Sequence, residues 1–462
     1  MKERRQNLKF KGILRPYCCA INLIAGVSCR INDRARDILF NVPVLILSFM
    51  CILKFCNDRL QEMAHYDTDI VRIISPVLFL LILISCTEDR VDIEKMKPNA
   101  FFWTGWLVCF VSIFALSFVH PVKKMYLLWS VLSLTILPMI MIAMSCSRSR
   151  RRWLGMLAWD MVGLSYVFLF MNLAVTSMTT KEEIWIEEFL GICSNSNANG
   201  LICAAFFSSA LYLLLTENKY RFFSLLSAGI SITIAFISAS RAAQLAMVTE
   251  TAFAVILYFV HNREHKIEGD QRRIALAIIA AVLLSLITGW GLLKLDRMDI
   301  NAYGATDYEE ATQWVEDSEI RSKINSLTSD RLMLWKAYST KLNFWGNGKT
   351  GGPLMPEDPA SKWPHNNAIE IWYTSGFIAF LGYVTWLLAG IVFVLKCLFG
   401  KGWYRSEYLF TALTFIGYFI FAMLEITLYP MTTGIFFLLC MTMGNIAFED
   451  GDKYGINNHT CL

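Results

Sequence analysis

The chain is 462 residues long, 55% hydrophobic and 17% charged, with a mean hydropathy of +0.45 and a net charge of +4. That balance excludes a soluble domain with an ordinary polar surface, and so small a net charge gives no footing for nucleic-acid binding. The apolar residues come in nearly uncharged runs, such as Met125 to Met144. Runs of about twenty residues cross ~30 Å of hydrocarbon as helices rising ~1.5 Å per residue.

The expected fold class is therefore all-α: a polytopic membrane protein with about twelve transmembrane helices and one long extracytoplasmic loop. In chain order the spans are expected at about 39–56, 70–87, 100–119, 125–146, 153–176, 198–216, 222–238, 242–260, 274–293, 376–395, 406–424 and 431–448. Before them, 1–38 reads as a basic cytoplasmic segment. Its stretch 16–29 (PYCCAINLIAGVSC) is short for a span and flanked by Arg15 and Arg30, so it reads as an interfacial helix. With the N-terminus inside, the cytoplasmic segments carry 26 Lys and Arg against 7 in the short outer segments, and Arg148, Arg150, Arg151 and Arg152 make the strongest anchor. Both termini are then cytoplasmic, with spans one to nine over 39–293, the outer loop with its lead-in over 294–375, three further spans over 376–448 and a tail over 449–462.

Within the outer loop, 294–365 holds 9 Lys and Arg, 11 Asp and Glu, and Trp314, Trp335, Trp345 and Trp363. So many aromatics argue for folded structure. Arg331 to Leu342 reads as an amphipathic helix with Leu332, Trp335 and Tyr338 on one face, followed by a turn at Gly346-Asn347-Gly348. The 13 cysteines are scattered, several inside apolar runs (Cys109, Cys203, Cys440), with no metal-ligand spacing. They read as small packing residues. No metal site or cofactor is expected.

Several polar residues have two readings each. Arg241 sits in the tight link between spans seven and eight. It is either a planar fork of donors for phosphate or a helix-end arginine reaching for the interface. His365 falls in Pro364-His365-Asn366-Asn367, where Asn366 or Asn367 can cap the helix leading into span ten. Beside that helix N-terminus it is a general-base candidate or simply a solvated imidazole. Glu370 follows in the same segment. Arg331 offers a second phosphate contact or an ion pair with Asp330 or another acid of the loop. Asp160 and Glu250 lie inside spans and Glu425 at the outer end of span eleven, which makes all three functional candidates. Glu425 shares its side with Arg241 and His365. Asn195, Asn197 and Asn199 form a polar run that suits sugar hydroxyls or caps a helix. Asp67 and Asp69 are spaced like the acids of a metal-dependent sugar transferase, a weak signal.

The order of four segments carries a resemblance: SRAAQLA (240–246), DRLMLWKAY (330–338), FWGNGKTGG (344–352) and HNNAIEIWYTSGFIAFLG (365–382). Over about 195–382 the chain resembles the O-antigen ligase and polysaccharide polymerase superfamily of bacterial membrane proteins, with Ala242 where Gly is commoner. The resemblance implies an extracytoplasmic glycosyltransferase in the bacterial cytoplasmic membrane. It would polymerise undecaprenyl-diphosphate-linked glycan repeats, or transfer them to a glycan or lipid-linked acceptor, without a metal and with inversion. His365 and Arg241 would be catalytic, and Arg331, Asn366, Glu370, Glu425, Asn197 and Asn199 would contact substrate. The competing expectations are a polytopic transporter and a metal-dependent lipid-linked-sugar transferase.

Overall fold

The computed structural model describes residues 2–119, 124–176, 185–186, 188–189, 191–217, 219–262, 313–327, 331–348, 364–400, 406–427 and 434–448. The protein is all-α. Its described strands are two-residue pieces, Trp185–Ile186 and Glu188–Phe189, paired antiparallel.

In chain order the helices are α1 (Lys2–Ser28), α2 (Asp33–Leu53), α3 (Asp58–Met63), α4 (Thr68–Cys86), α5 (Ala100–Val119), α6 (Lys124–Leu134), α7 (Ile136–Cys146) and α8 (Arg150–Thr176). There follow α9 (Ser196–Thr216), α10 (Arg221–Ile237), α11 (Arg241–Asn262), α12 (Glu319–Leu327) and α13 (Arg331–Ser339). The last are α14 (Asn367–Phe399), α15 (Ser406–Leu424), α16 (Gly434–Thr442) and α17 (Gly444–Ala447).

Among the described residues, eight stretches are long and apolar enough to cross a membrane: Asp33–Leu53, Asp69–Cys86, Ala100–Val119, Leu127–Cys146, Arg150–Ala174, Asn197–Thr216, Asn367–Phe399 and Glu407–Leu424. Each coincides with an expected span. The bundle's outer face exposes Ile73, Phe118, Phe170 and Phe222, a surface suited to lipid rather than water. The expected 222–238 is a shorter apolar helix, Arg221–Ile237, and 242–260 falls on α11. The expected 274–293 lies outside the described residues. The expected 431–448 is not one helix. The chain breaks at Met443 into α16 and α17, and the buried Asn445 donates to Glu407 O (3.0 Å) and Thr411 Oγ1 (2.6 Å).

The N-terminal helix is longer than the 16–29 read from sequence. It runs as one piece from 2 to 28 with Pro16 inside it. It buries Leu14, Cys18, Ile21 and Ala25. Lys11, Asn22 and Ser28 hydrogen-bond the segment after α4 through Glu94 O (2.6 Å), Val91 O (3.1 Å) and Thr87 O (2.5 Å).

α9 is the central helix, with 94% of its apolar window buried. α5 and α14 cross backbone to backbone. A Cβ on Gly105 would lie 2.4 Å from Trp386 N, and one on Gly382 would lie 2.3 Å from Cys109 N. Small residues at such a crossing let helices meet closely where no water drives them together. This contact fixes α14, whose first residues adjoin the site.

α14 itself is kinked. Gly376 has φ 81° and ψ 176°, so the piece 367–375 is set off from the long apolar piece that follows. The turn after α13 docks into this kink. Phe377 N donates to Phe344 O (2.9 Å), Asn347 N to Tyr373 O (2.7 Å) and Gly348 N to Thr374 O (3.1 Å). Gly346 has φ +78°, and a Cβ there would sit 2.5 Å from Gly376 N; a Cβ on Gly376 would sit 2.4 Å from Phe344 O. Both glycines are thus required twice, by backbone conformation and by space.

Alanine at either position should destabilise the solubilised protein by about 1–3 kcal/mol or more, the cost of a strained backbone plus the displaced turn. Gly163→Ala, where a Cβ meets nothing within 4 Å, should be neutral or stabilising by up to ~1 kcal/mol. Thermal unfolding in detergent reads the difference, and equal midpoints for all three variants would contradict the docking.

Candidate functional site

The residues that converge come from three separate segments. Glu425 follows the last residue of α15, where its N–H still bonds Phe421 O (2.6 Å). Its carboxylate is buried and bridges two partners. Arg331 Nη2 donates to Oε1 (2.6 Å), and His365 Nδ1 lies 2.8 Å from Oε2. Side-chain exposure is 8% for Arg331, 11% for Glu425 and 34% for His365. The arginine and the carboxylate are thus a buried pair, while the imidazole is about one-third exposed. With Glu425 ionised, His365 donates from Nδ1 and presents Nε2 as the free ring nitrogen.

Local sequence explains how His365 is held. It has φ 46°, a left-handed conformation uncommon for a residue with a side chain, and retained where surrounding contacts enforce it. Those contacts are present on both sides. Before it, Pro364 O accepts from Trp335 Nε1 of α13 (2.8 Å). After it, Asn366 caps α14, its Oδ1 accepting from Ile369 N (3.1 Å), while its Nδ2 donates to Met423 O (3.0 Å). One asparagine therefore ends the loop, starts the helix and ties both to the end of α15.

Asn367 adds a role the sequence reading did not assign. It is fully buried and donates to Tyr418 OH (3.1 Å) and Thr427 Oγ1 (3.0 Å), while its Oδ1 accepts from Thr427 N (2.7 Å). Tyr418 OH meets Tyr383 OH at 3.2 Å. The network pins α14 to α15 on both sides of Glu425. Its one trace in the sequence is the second asparagine of the pair, since a cap needs only one.

α13 packs differently from the sequence expectation. The expected face was Leu332, Trp335 and Tyr338, but the buried face is Met333, Leu334, Ala337 and Tyr338, with Arg331 buried at the same end. Leu332 and Trp335 are half-buried at its margin. Tyr338 meets Tyr373 of α14 edge-on at 5.2 Å, and Val315 joins the same small core. The helix lies along the first piece of α14, so its contact stripe follows neighbours at one and four residues, not a strict spacing of three.

The remaining candidates are placed as follows. Arg241 opens α11, and the turn before it carries Ala239 at φ 50°. Ser240, fully buried, abuts Gly200 of α9, and α11 packs along α15, the helix that leads to Glu425. Glu370 is buried in the first turn of α14. In the asparagine run, Asn195 is the cap of α9, accepting from Ala198 N (2.8 Å). Asn197 is half-buried in the first turn and Asn199 is fully buried, facing the packed interior. Asp160 lies within α8. Glu250 is fully buried between helices, accepts from Ser208 Oγ (2.8 Å), and occupies space left by Gly417, where a Cβ would stand 2.4 Å from its Oε1. Asp67 and Asp69 are otherwise engaged: Asp67 caps α4 through Asp69 N (2.7 Å), and Asp69 pairs with Arg72. No cluster of three or more His, Cys, Asp or Glu is placed for a metal among the described residues.

Breaking a buried ion pair by removing one partner costs roughly 3–5 kcal/mol, because the other charge is left buried. Arg331→Met and Glu425→Gln should each destabilise strongly, and the double variant by clearly less than the sum. Denaturant titration in detergent measures the cycle. Additive losses would show that the pair contributes nothing beyond its members.

Compared with known proteins, the chain matches no family model, no curated protein and no solved structure at a meaningful level.

Proposed function

We propose that this membrane protein is a glycosyltransferase that moves or polymerises glycan repeats carried on a lipid diphosphate, at the extracytoplasmic face of a bacterial cytoplasmic membrane. The observation that carries the reading is the Arg331–Glu425–His365 cluster at the end of an apolar bundle. It orients an imidazole by a buried carboxylate, which is the arrangement a general base needs. Two of its three members, Arg331 and His365, lie in the segments that resemble O-antigen ligases and polymerases, and the structure joins them through Glu425.

In this mechanism an acceptor hydroxyl hydrogen-bonds His365 Nε2. As its oxygen attacks the anomeric carbon of the donor, the proton passes to Nε2 and the imidazolium is stabilised by Glu425. The bond from the anomeric carbon to the diphosphate breaks, and the configuration inverts. The leaving diphosphate takes the electron pair, and Arg241 meets its charge with a planar fork of donors. Arg331, whose Nη2 is bonded to Glu425, acts mainly on the carboxylate. Asn366 positions His365 and Glu370 is buried in the same first turn of α14, whereas Asn197 and Asn199, half and fully buried at the start of α9, are given no direct contact with substrate. Polymerisation, with a second lipid-linked repeat as acceptor, is placed slightly ahead of ligation to another acceptor.

The asymmetry of Lys and Arg supports the outward orientation. The engagement of Asp67 as a cap and of Asp69 with Arg72 weighs against the metal-dependent transferase.

His365→Ala should lower turnover on a lipid-diphosphate oligosaccharide by roughly 10²–10⁴ and leave donor binding nearly intact. Arg241→Lys should stay poorly active, because it keeps the charge and loses the fork. Wild-type turnover should survive EDTA. Wild-type rates from well-inserted His365→Ala protein would remove His365 as base, and strict dependence on added Mg²⁺ or Mn²⁺ with loss on Asp67→Ala would favour the other transferase class.

A further inference from the structure

Two cysteines far apart in sequence face each other across a short backbone ladder. Cys56 follows α2, and Cys193 precedes the cap of α9; they form an isolated antiparallel bridge. Its hydrogen bonds flank the pair: Asn57 N donates to Ile192 O (2.9 Å) and Ser194 N to Phe55 O (2.8 Å). Cys56 and Cys193 are therefore the non-hydrogen-bonded pair of the ladder, the type in which opposed side chains stand closest. Opposed Cα atoms in such a ladder lie about 4.5 Å apart, within the ~4.4–6.8 Å that a disulfide spans.

Each side of the ladder is independently held. Gln61 Nε2 donates to Cys56 O (2.9 Å) and Lys54 O (3.0 Å). Ile192 N donates to Asn172 Oδ1 of α8 (3.1 Å). Both cysteines are buried, at 1% and 2% exposure. Burial pushes the Cys56 thiol up to about 12 and the Cys193 thiol upward as well. Once the ladder has closed around them, neither is a ready thiolate for an outside reagent.

We propose that Cys56 and Cys193 form a structural disulfide that clips the segment after α2 to the segment before α9. The proposal rests on the outward orientation in the functional reading, because an oxidising compartment is needed, but not on glycan transfer. The oxidant is a protein disulfide of an extracytoplasmic thiol oxidase, acting during folding before the ladder is buried. One cysteine thiolate attacks that disulfide and forms a mixed disulfide. The second cysteine's sulfur displaces the oxidase sulfur, and the Cys56–Cys193 bond forms. The two thiol protons pass by way of solvent to the two oxidase sulfurs, and the electron pair reduces the oxidase disulfide to a dithiol, so no proton is released overall. The clip sits two residues before Asn195, the cap of α9, and so fixes where the central helix begins.

The test is mass spectrometry of the full chain from cells quenched in acid, then denatured and alkylated with N-ethylmaleimide before digestion. The expected result is a Cys56–Cys193 linked peptide as the main form, released by reductant. It should be absent from Cys56→Ser and Cys193→Ser, and lost in cells lacking extracytoplasmic thiol oxidase. Recovery of both cysteines as maleimide adducts from wild type, or a dominant link to Cys51 or Cys203 instead, overturns the proposal. In parallel, Ala64→Cys, at an exposed position just after the bridge, is labelled with a membrane-impermeant maleimide against the wild-type background. Outside labelling with a reduced pair means that the disulfide fails and the orientation stands. Labelling only from the cytoplasmic side means that the orientation fails, and the disulfide with it.

Discussion

A single buried carboxylate organises the proposed site. Glu425 lies at the end of an apolar helix, where an isolated negative charge would be costly. It is tolerated because an arginine from one segment and a histidine from another approach its two oxygens. The same requirement makes the arrangement specific: α13 must bring Arg331, and the lead-in to α14 must bring His365, or the charge is left alone. The interaction is therefore less a source of stability than a condition on how three segments assemble.

The rest of the region meets that condition by rigid contacts. Tyr338 packs against Tyr373, the glycine turn closes into the kink at Gly376, and Trp335 holds the carbonyl of Pro364. Asn366 and Asn367 then fasten the start of α14 to α15 and to Thr427. In consequence His365 is held on its backbone, on its ring and by the residues on both sides, although it belongs to a connecting segment. Catalytic groups fixed in this way need little reorganisation when substrate arrives. The proposed clip at Cys56 and Cys193 would extend the same logic to α9, the helix that α11 packs against.

The helices were legible because lipid leaves a chain few options, and a run of twenty apolar residues carries its own instruction. Ala100–Val119 coincides with the expected 100–119 for that reason. Caps were legible too, since Asn366 is a local signal. Other features depend on contacts between distant segments. The break at Met443 leaves no mark in hydropathy, the buried stripe of α13 is set by its neighbour, and Asn367 looks like a second capping residue until Tyr418 and Thr427 are in place. From sequence alone Arg331 is a loop arginine with several possible acids. Its partner lies 94 residues away, and periodicity in one sequence holds no record of that pairing. In sequence Cys56 and Cys193 look like packing residues for the same reason: the ladder that opposes them exists only once the bundle is formed.

The central claim is that the Glu425 carboxylate makes this cluster a working site for glycan transfer. It is tested most directly by the surface glycan of a deletion strain carrying either the wild-type chain or Glu425→Gln, at matched abundance in the membrane. The wild type should restore long glycan ladders on a gel. The variant, which keeps the shape and loses the charge, should leave them short or absent while lipid-diphosphate-linked glycan accumulates. A full ladder from Glu425→Gln at equal abundance, or a deletion that leaves the glycan unchanged, would contradict the account.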